Sequence, residues 1–343
     1  MNDLRETARP SGGALRFPAM KGRGRSRPFH GGRAVLAGMA CLAVASQALA
    51  QGQDTTPTER NVLVIAELLA RVYDNYNQVY FDRRLGYPEN ERHDRREIRI
   101  DRVGGPDSML LAYREFADGD YSRLTRAGAL ALSADNEREA ARMEVWRRPV
   151  EGLDPMDAGA GVDGRPEEAA ECVVYWTREA AQFRGKTQGD CPAWASESVL
   201  AEQQMWLTAP GGLDHSGGAY ELHAARLMRC FIDVPGVSGG RDEEYTRYDN
   251  LQIHDRGGSV RITHTDGRQL GVRLSNVDWP LNNYDEAFTR DVLVLYALEY
   301  IGEEIRSHGY IFTEPRAERI GINLYWMMAY CYSESNTEIR PFM

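Results

Sequence analysis

The run from Cys172 to Cys191, CVVYWTREAAQFRGKTQGDC, constrains the fold most strongly. An apolar, aromatic segment, Cys172 to Trp176, is followed by a charged tip and then by Phe183-Arg-Gly-Lys-Thr187. Two such runs about a polar tip predict a β-hairpin. A cysteine stands at each outer end, so an oxidising compartment would let the hairpin close as a disulfide.

The N-terminus points to such a compartment. Lys21, Arg23, Arg25, Arg27 and Arg33 precede an apolar stretch, Ala34 to Ala45, and Ala48-Leu49-Ala50 supplies a small-residue cleavage site. Residues 1–50 therefore read as a signal peptide, with a mature, periplasmic or secreted chain from Gln51. The apolar stretch is short for a spanning helix, so no membrane span is expected. With no twin-arginine pair, the general secretory route is favoured.

Residues 1–50 hold eight Lys/Arg and two Asp/Glu, which leaves 33 basic and 49 acidic residues in 51–343, a formal charge of −16. Such a surface repels nucleic acid and anionic lipid, and no basic stripe reverses it. Four cysteines remain: Cys172, Cys191, Cys230 and Cys331. Four allow three connectivities. The hairpin favours Cys172–Cys191, which leaves Cys230 with Cys331. Metal binding is the weaker reading, because no CxxC or HxxxH spacing occurs.

A helix is expected after the polar lead-in 51–58, with Thr58 as N-cap and Glu59 in its first turn. Val62, Ile65, Leu68, Leu69 and Val72 recur at helical spacing, which carries the helix to about Tyr76. One helix at the start of a β chain can plug a barrel end or pack on a sheet. Arg96–Val103, Ser108–Phe116, Ala129–Ser133 and Ala141–Arg147 read as strands with charge on alternate or flanking positions. Turn signals separate them at Gly104-Gly105-Pro106, Asp118-Gly119-Asp120 and Ala134-Asp135-Asn136. Val150 to Glu168 reads as a long acidic loop. Asp242 to Asn250 reads as a charged connector. Asp266-Gly267 between Ser259–Thr265 and Arg268–Val277 predicts a type I′ hairpin. Asp291–Ile305 fits a helix about as well as a strand and short helix, and the apolar Ile320–Tyr332 predicts one central strand.

Residues 60–235 resemble the CpcT/CpeT chromophore lyase family. The resemblance rests on Cys172 through Cys191, with a Trp-containing strand and Phe183-x-Gly185-x-Thr187. It rests further on Tyr73-Asp74-Asn75 with Gln78, on Tyr113-Arg114-Glu115, and on the segment from Tyr121 to Arg126. The family implies a mainly β fold, a calycin-like antiparallel β-barrel with an N-terminal helix. It implies a barrel domain over 57–235, which leaves 242–343 as a C-terminal β-rich extension. Members hold an open-chain tetrapyrrole and attach it to a partner cysteine. This chain departs by its export signal, and by Met205-Trp206-Leu207 and Gly211-Gly212 where the family has Trp-Asp-Arg-Gly.

A bilin ligand asks for an aromatic-lined cavity, arginines for its propionates and an acid to protonate it. Tyr113 and Trp176, Arg96 and Arg126, and Glu115 can supply these, with Asn75 and Gln78 as further ligand contacts. Glu115 is the candidate catalytic acid, and no resident cofactor is required. Each residue also has a plain structural role open to it: barrel filling for the aromatics, a salt bridge for Glu115, a helix end for Asn75 and Gln78. Two functions follow. One is an exported lyase-like enzyme acting on a tetrapyrrole and a protein acceptor. The other is a non-catalytic calycin-type carrier or scaffold for a small apolar ligand.

Overall fold

A computed structural model describes residues 55–148, 150, 166, 168–189, 191, 194–208, 219–236, 244–280, 289–302 and 304–333. The expected signal peptide, most of the acidic loop and Gly211-Gly212 lie outside these residues.

Helix α1 spans Pro57–Leu69. Its N-cap is Thr56, two residues earlier than the sequence suggests. The Thr56 hydroxyl accepts from Glu59 N–H at 3.2 Å, and the Glu59 carboxylate accepts from Thr56 N–H at 2.7 Å. This reciprocal box places Pro57 at the first helical position, where its fixed φ fits and its missing N–H costs nothing. The helix stops at Leu69 rather than near Tyr76, because Val72–Asp74 forms strand β1. Helix α2 follows at Tyr76–Arg84.

Nine more strands complete a closed antiparallel barrel with β1. They are β2 Arg96–Arg102, β3 Leu110–Ala117, β4 Leu124–Asp135, β5 Ala140–Arg148 and β6 Cys172–Glu179. Then come β7 Gln182–Gln188, β8 Glu197–Leu200, β9 Gln204–Thr208 and β10 Ala219–Ala225. Each pairs with its sequence neighbour, and β1 closes the ring between β10 and β2. The chain is thus mainly β, with a calycin-like barrel and an N-terminal helix. Val62, Ile65, Ala66 and Leu69 of α1 share one core with the barrel interior, so the helix plugs an end. Arg102–Glu67 and Arg178–Asn61 contacts fix it at the end where β2 and β6 finish.

Strand β11, Leu227–Pro235, leaves the barrel that was expected to run to residue 235. It joins β12 Tyr245–His254, β17 Arg319–Leu324 and β18 Met327–Ser333 in the sheet order β12-β11-β18-β17. A second sheet holds β13 Arg256–Thr263, β14 Gln269–Pro280, β15 Thr289–Ile301 and β16 Glu304–Thr313. Both sheets feed one apolar core, in which Met228, Ile232, Leu274 and Leu295 are fully buried. This β-sandwich is the C-terminal β-rich extension, and it forms one compact unit with the barrel.

Three local expectations change. The charged connector at 242–250 is largely β12, an edge strand whose exposed face carries the charges. Asp291–Ile301 is strand rather than helix, since Leu293, Leu295 and Ala297 face the sandwich core while Val292 and Val294 pack on the other face. Ile320–Tyr332 is a hairpin, β17 and β18, turning at Tyr325-Trp326. The Asp266-Gly267 turn is not type I′: Gly267 has φ +88°, its N–H reaches His264 O at 2.9 Å, and Asp266 has no positive φ. A type I turn with a left-handed glycine fits that geometry.

Cys172–Cys191 and Cys230–Cys331 are both disulfides, as the hairpin pairing requires. They close loops of 19 and 101 residues. Chain entropy predicts losses of about 3 kcal/mol for Cys172→Ala/Cys191→Ala and about 4.7 kcal/mol for Cys230→Ala/Cys331→Ala. Urea unfolding with and without reductant checks both values. A wild-type midpoint indifferent to reductant would show that the pairs do not form.

Candidate functional site

Strand alternation puts Tyr113 and Glu115 on the inner face of β3. Both line a small pocket at the barrel end opposite α1, with Arg96 from β2 and Arg126 from β4. Trp194, Leu207, Tyr220 and Leu222 also line it. Arg96 comes within 3.5 Å of one Glu115 oxygen and Arg126 within 3.7 Å of the other. The Arg96 guanidinium also lies 3.9 Å from the centre of the Tyr220 ring. Burial, and then the charge of Glu115, push the Tyr113 phenol above its ordinary range. Its ring crosses to β4 at Gly128, where an added Cβ would stand 2.5 Å from it. Only glycine leaves that space.

Four of the seven ligand and catalytic candidates from the sequence therefore converge: Arg96, Tyr113, Glu115 and Arg126. Trp176 does not reach the pocket. It is 1 % exposed in the barrel core, against Gly185, whose added Cβ would meet the indole at 2.9 Å. This explains the Phe183-x-Gly185-x-Thr187 pattern. Phe183 fills the core, Gly185 admits Trp176, and the Thr187 hydroxyl donates to Ala195 O at 2.6 Å. Asn75 and Gln78 are structural clamps. Asn75 accepts from Arg96 N–H at 2.7 Å and donates to Asp94 O at 3.0 Å. Gln78 donates to Ala219 O at 3.0 Å and accepts from Glu221 N–H at 3.2 Å, tying α2 to β10.

Trp194, like Tyr220, is a pocket residue that sequence reasoning missed. It follows Cys191 by three positions, and its backbone N–H reaches Cys191 O at 3.2 Å. The disulfide to Cys172 and the Thr187 bond hold this segment across the barrel end. The ring lies edge-to-face on Tyr113, 6.0 Å between centres. Trp194 is 3 % exposed, and its indole N–H has no partner among the described residues. The available signal was its place just outside the disulfide loop's end. With these aromatics packed in, the pocket offers ≈ 20 Å³. That is room for about one water, and not for the rings of a tetrapyrrole.

A second polar centre lies where barrel meets sandwich. His254 Nε2 is 3.0 Å from Glu97 and 3.9 Å from Asp74, all three buried. The spacing suits a metal. Their oxygens are already engaged, however: Arg95 donates to Asp74 at 2.9 Å and Arg99 to Glu97 at 2.8 Å. The group reads as a buried ion-pair network that fixes the two β units together.

Comparison of the chain with protein-family models, with curated proteins and with solved structures finds no match in any of the three. The site therefore has to be read from its own geometry.

Burial raises the Glu97 pKa, but the hydrogen bond and charge of His254, with Arg99, outweigh it and lower the value to about 2, from 4.5. A depressed carboxylate pKa gives stability that is complete above the unfolded value and is lost as pH falls to the folded one. Asp74 acts oppositely, since burial raises its pKa. The comparison of wild type with Glu97→Gln isolates Glu97. Between pH 4.5 and about 2 the wild type should lose more stability than the variant, as read by chemical unfolding at stepped pH. Parallel curves would remove Glu97 from the acid response.

Proposed function

We propose that this chain is an exported, non-catalytic calycin-type binding protein whose barrel mouth takes the acidic end of an apolar ligand. The observation that carries this reading is the donor excess at the mouth. Arg96, Arg126 and the partnerless indole N–H of Trp194 converge there, and Glu115 is the one carboxylate lining the pocket among the described residues. Buried donors without acceptors are costly, so an incoming carboxylate has something to satisfy. The packed interior directs the apolar part of the ligand to the outside of the mouth, with only its acid group entering.

The two disulfides accord with export. The tetrapyrrole lyase is the second reading. It is favoured by the place of Glu115 at the same mouth, where a carboxyl group could pass a proton to a ring system held outside it.

Titration with biliverdin, followed by visible circular dichroism, tests the binding claim. The wild type should induce a signal, and Arg96→Ala/Arg126→Ala should weaken binding by at least about tenfold, since hydrogen bonds to charged groups are worth roughly 1.5–3 kcal/mol. No induced signal, or equal affinity in the double variant, would overturn it. Covalent transfer of the bilin to an added acceptor thiol, lost in Glu115→Gln with binding retained, would favour the lyase instead.

A further inference from the structure

A cleft separate from the barrel mouth runs between α2, β10 and the adjoining ends of β14 and β15. Its volume is ≈ 1080 Å³, at the top of the range for small-molecule sites, and it shares no lining residue with the mouth. We propose that this cleft is a second binding site, and that its ligand is a neutral oligosaccharide.

The charge of the walls comes first. Four arginines and six carboxylates line the cleft. Asp255 is answered within the protein by Arg226 at 3.2 Å, and Asp82 by His93 at 2.8 Å. Arg71, Arg256 and Arg316 then face Glu202, Glu221, Asp278 and Asp291, so with His93 neutral the four arginines of the wall fall two short of its six carboxylates. So small an acidic excess repels a polyanion and does little to hold a polycation. It does offer many planar donors and acceptors. Asn77, Gln203, Gln204 and Asn276 add amides to the carboxylates and guanidiniums. Flat, two-sided polar groups of this kind match pairs of neighbouring hydroxyls, which donate and accept at once.

Two further features point to a sugar. Asn77 lines the wall, and its buried side-chain oxygen has no hydrogen-bond partner among the described residues. Phe81 supplies an aromatic surface in the same cleft, on which the C–H face of a sugar ring can pack.

The Asp278–Asp291 pair in the cleft is not set for glycoside cleavage. Asp278 and Asp291 stand opposite each other on β14 and β15 and hydrogen-bond to each other, which raises the Asp278 pKa to about 6. Glycosidase carboxyls stand at least about 5 Å apart so that the scissile bond fits between them. A carboxyl pair in direct contact cannot do that.

Isothermal titration of the full chain with cellohexaose, maltohexaose and N-acetylchitohexaose tests the proposal. At least one should bind with a dissociation constant of millimolar or tighter. Asn77→Ala and Phe81→Ala should each weaken it by about tenfold, the equivalent of about 1.4 kcal/mol. Trp194→Ala at the mouth should leave it unchanged, which separates this site from the barrel site. Thermal melts confirm that the variants fold, and Asn77→Ala stands alone if Phe81→Ala does not. No binding by any of the three sugars, or wild-type affinity in Asn77→Ala, overturns the proposal.

Discussion

The barrel closes through three residues. Strand β1 is only Val72–Asp74, yet it pairs with β10 on one side and β2 on the other. So short a ladder provides few hydrogen bonds, and closure depends on what holds its end. Asp74 is fully buried there and takes Arg95, which in turn donates to Gly257 O in the sandwich at 2.9 Å. Glu97, paired directly with Asp74 across the sheet, takes His254 from the sandwich and Arg99 from its own strand. Like charges opposite each other in a sheet repel, so the cations are needed for the pair to exist. Arg95 reaches both β units, and His254 brings a sandwich side chain to the same pair of carboxylates. Barrel closure and the docking of the sandwich therefore share one polar network.

This arrangement shapes the rest of the molecule. Because α1 fills one end of the barrel and Trp176, Tyr73 and Met143 fill its middle, chemistry is left to the rim. The rim opposite α1 is where Arg96, Glu115 and Arg126 meet, and where a disulfide holds Trp194 in place. Docking the sandwich against the barrel creates the second concavity, between α2 and β14. Neither concavity belongs to a single strand pair. Both arise from the way finished units are set against each other.

That is also why the sequence was legible in some places and not in others. Period-two alternation marked β2, β3 and the β6–β7 hairpin, and it placed Tyr113 and Glu115 on the inner face of β3. These are local properties of one strand and its turn. Strand β1 was hidden because Val72 continues the helical spacing of α1, and its partners, Arg99 and Ala225, are distant in the chain. The β17–β18 turn was hidden because Tyr325-Trp326 lacks Gly, Pro, Asn or Asp. Strand β15 resembled a helix because it is buried on both faces, which erases alternation. Trp194 and His254 gain their importance from partners across the fold, which no local pattern encodes.

Glu115 joins the two halves of the functional reading. Two guanidiniums close together in a part-buried rim would repel, and an internal carboxylate offsets that repulsion. Its contacts, at 3.5 and 3.7 Å, are longer than a tight charge-assisted hydrogen bond. One carboxylate offsets only one of the two positive charges, so the trio keeps a net positive charge in the pocket that Trp194 also lines. A ligand acid can then add to the site without first breaking a strong internal bond, while the protein without ligand avoids an uncompensated pair of part-buried cations. Replacing Glu115 with a neutral residue would therefore act on the free protein through repulsion between Arg96 and Arg126, and on the complex by leaving both for the ligand. The salt bridge and the binding site are two descriptions of the same three side chains.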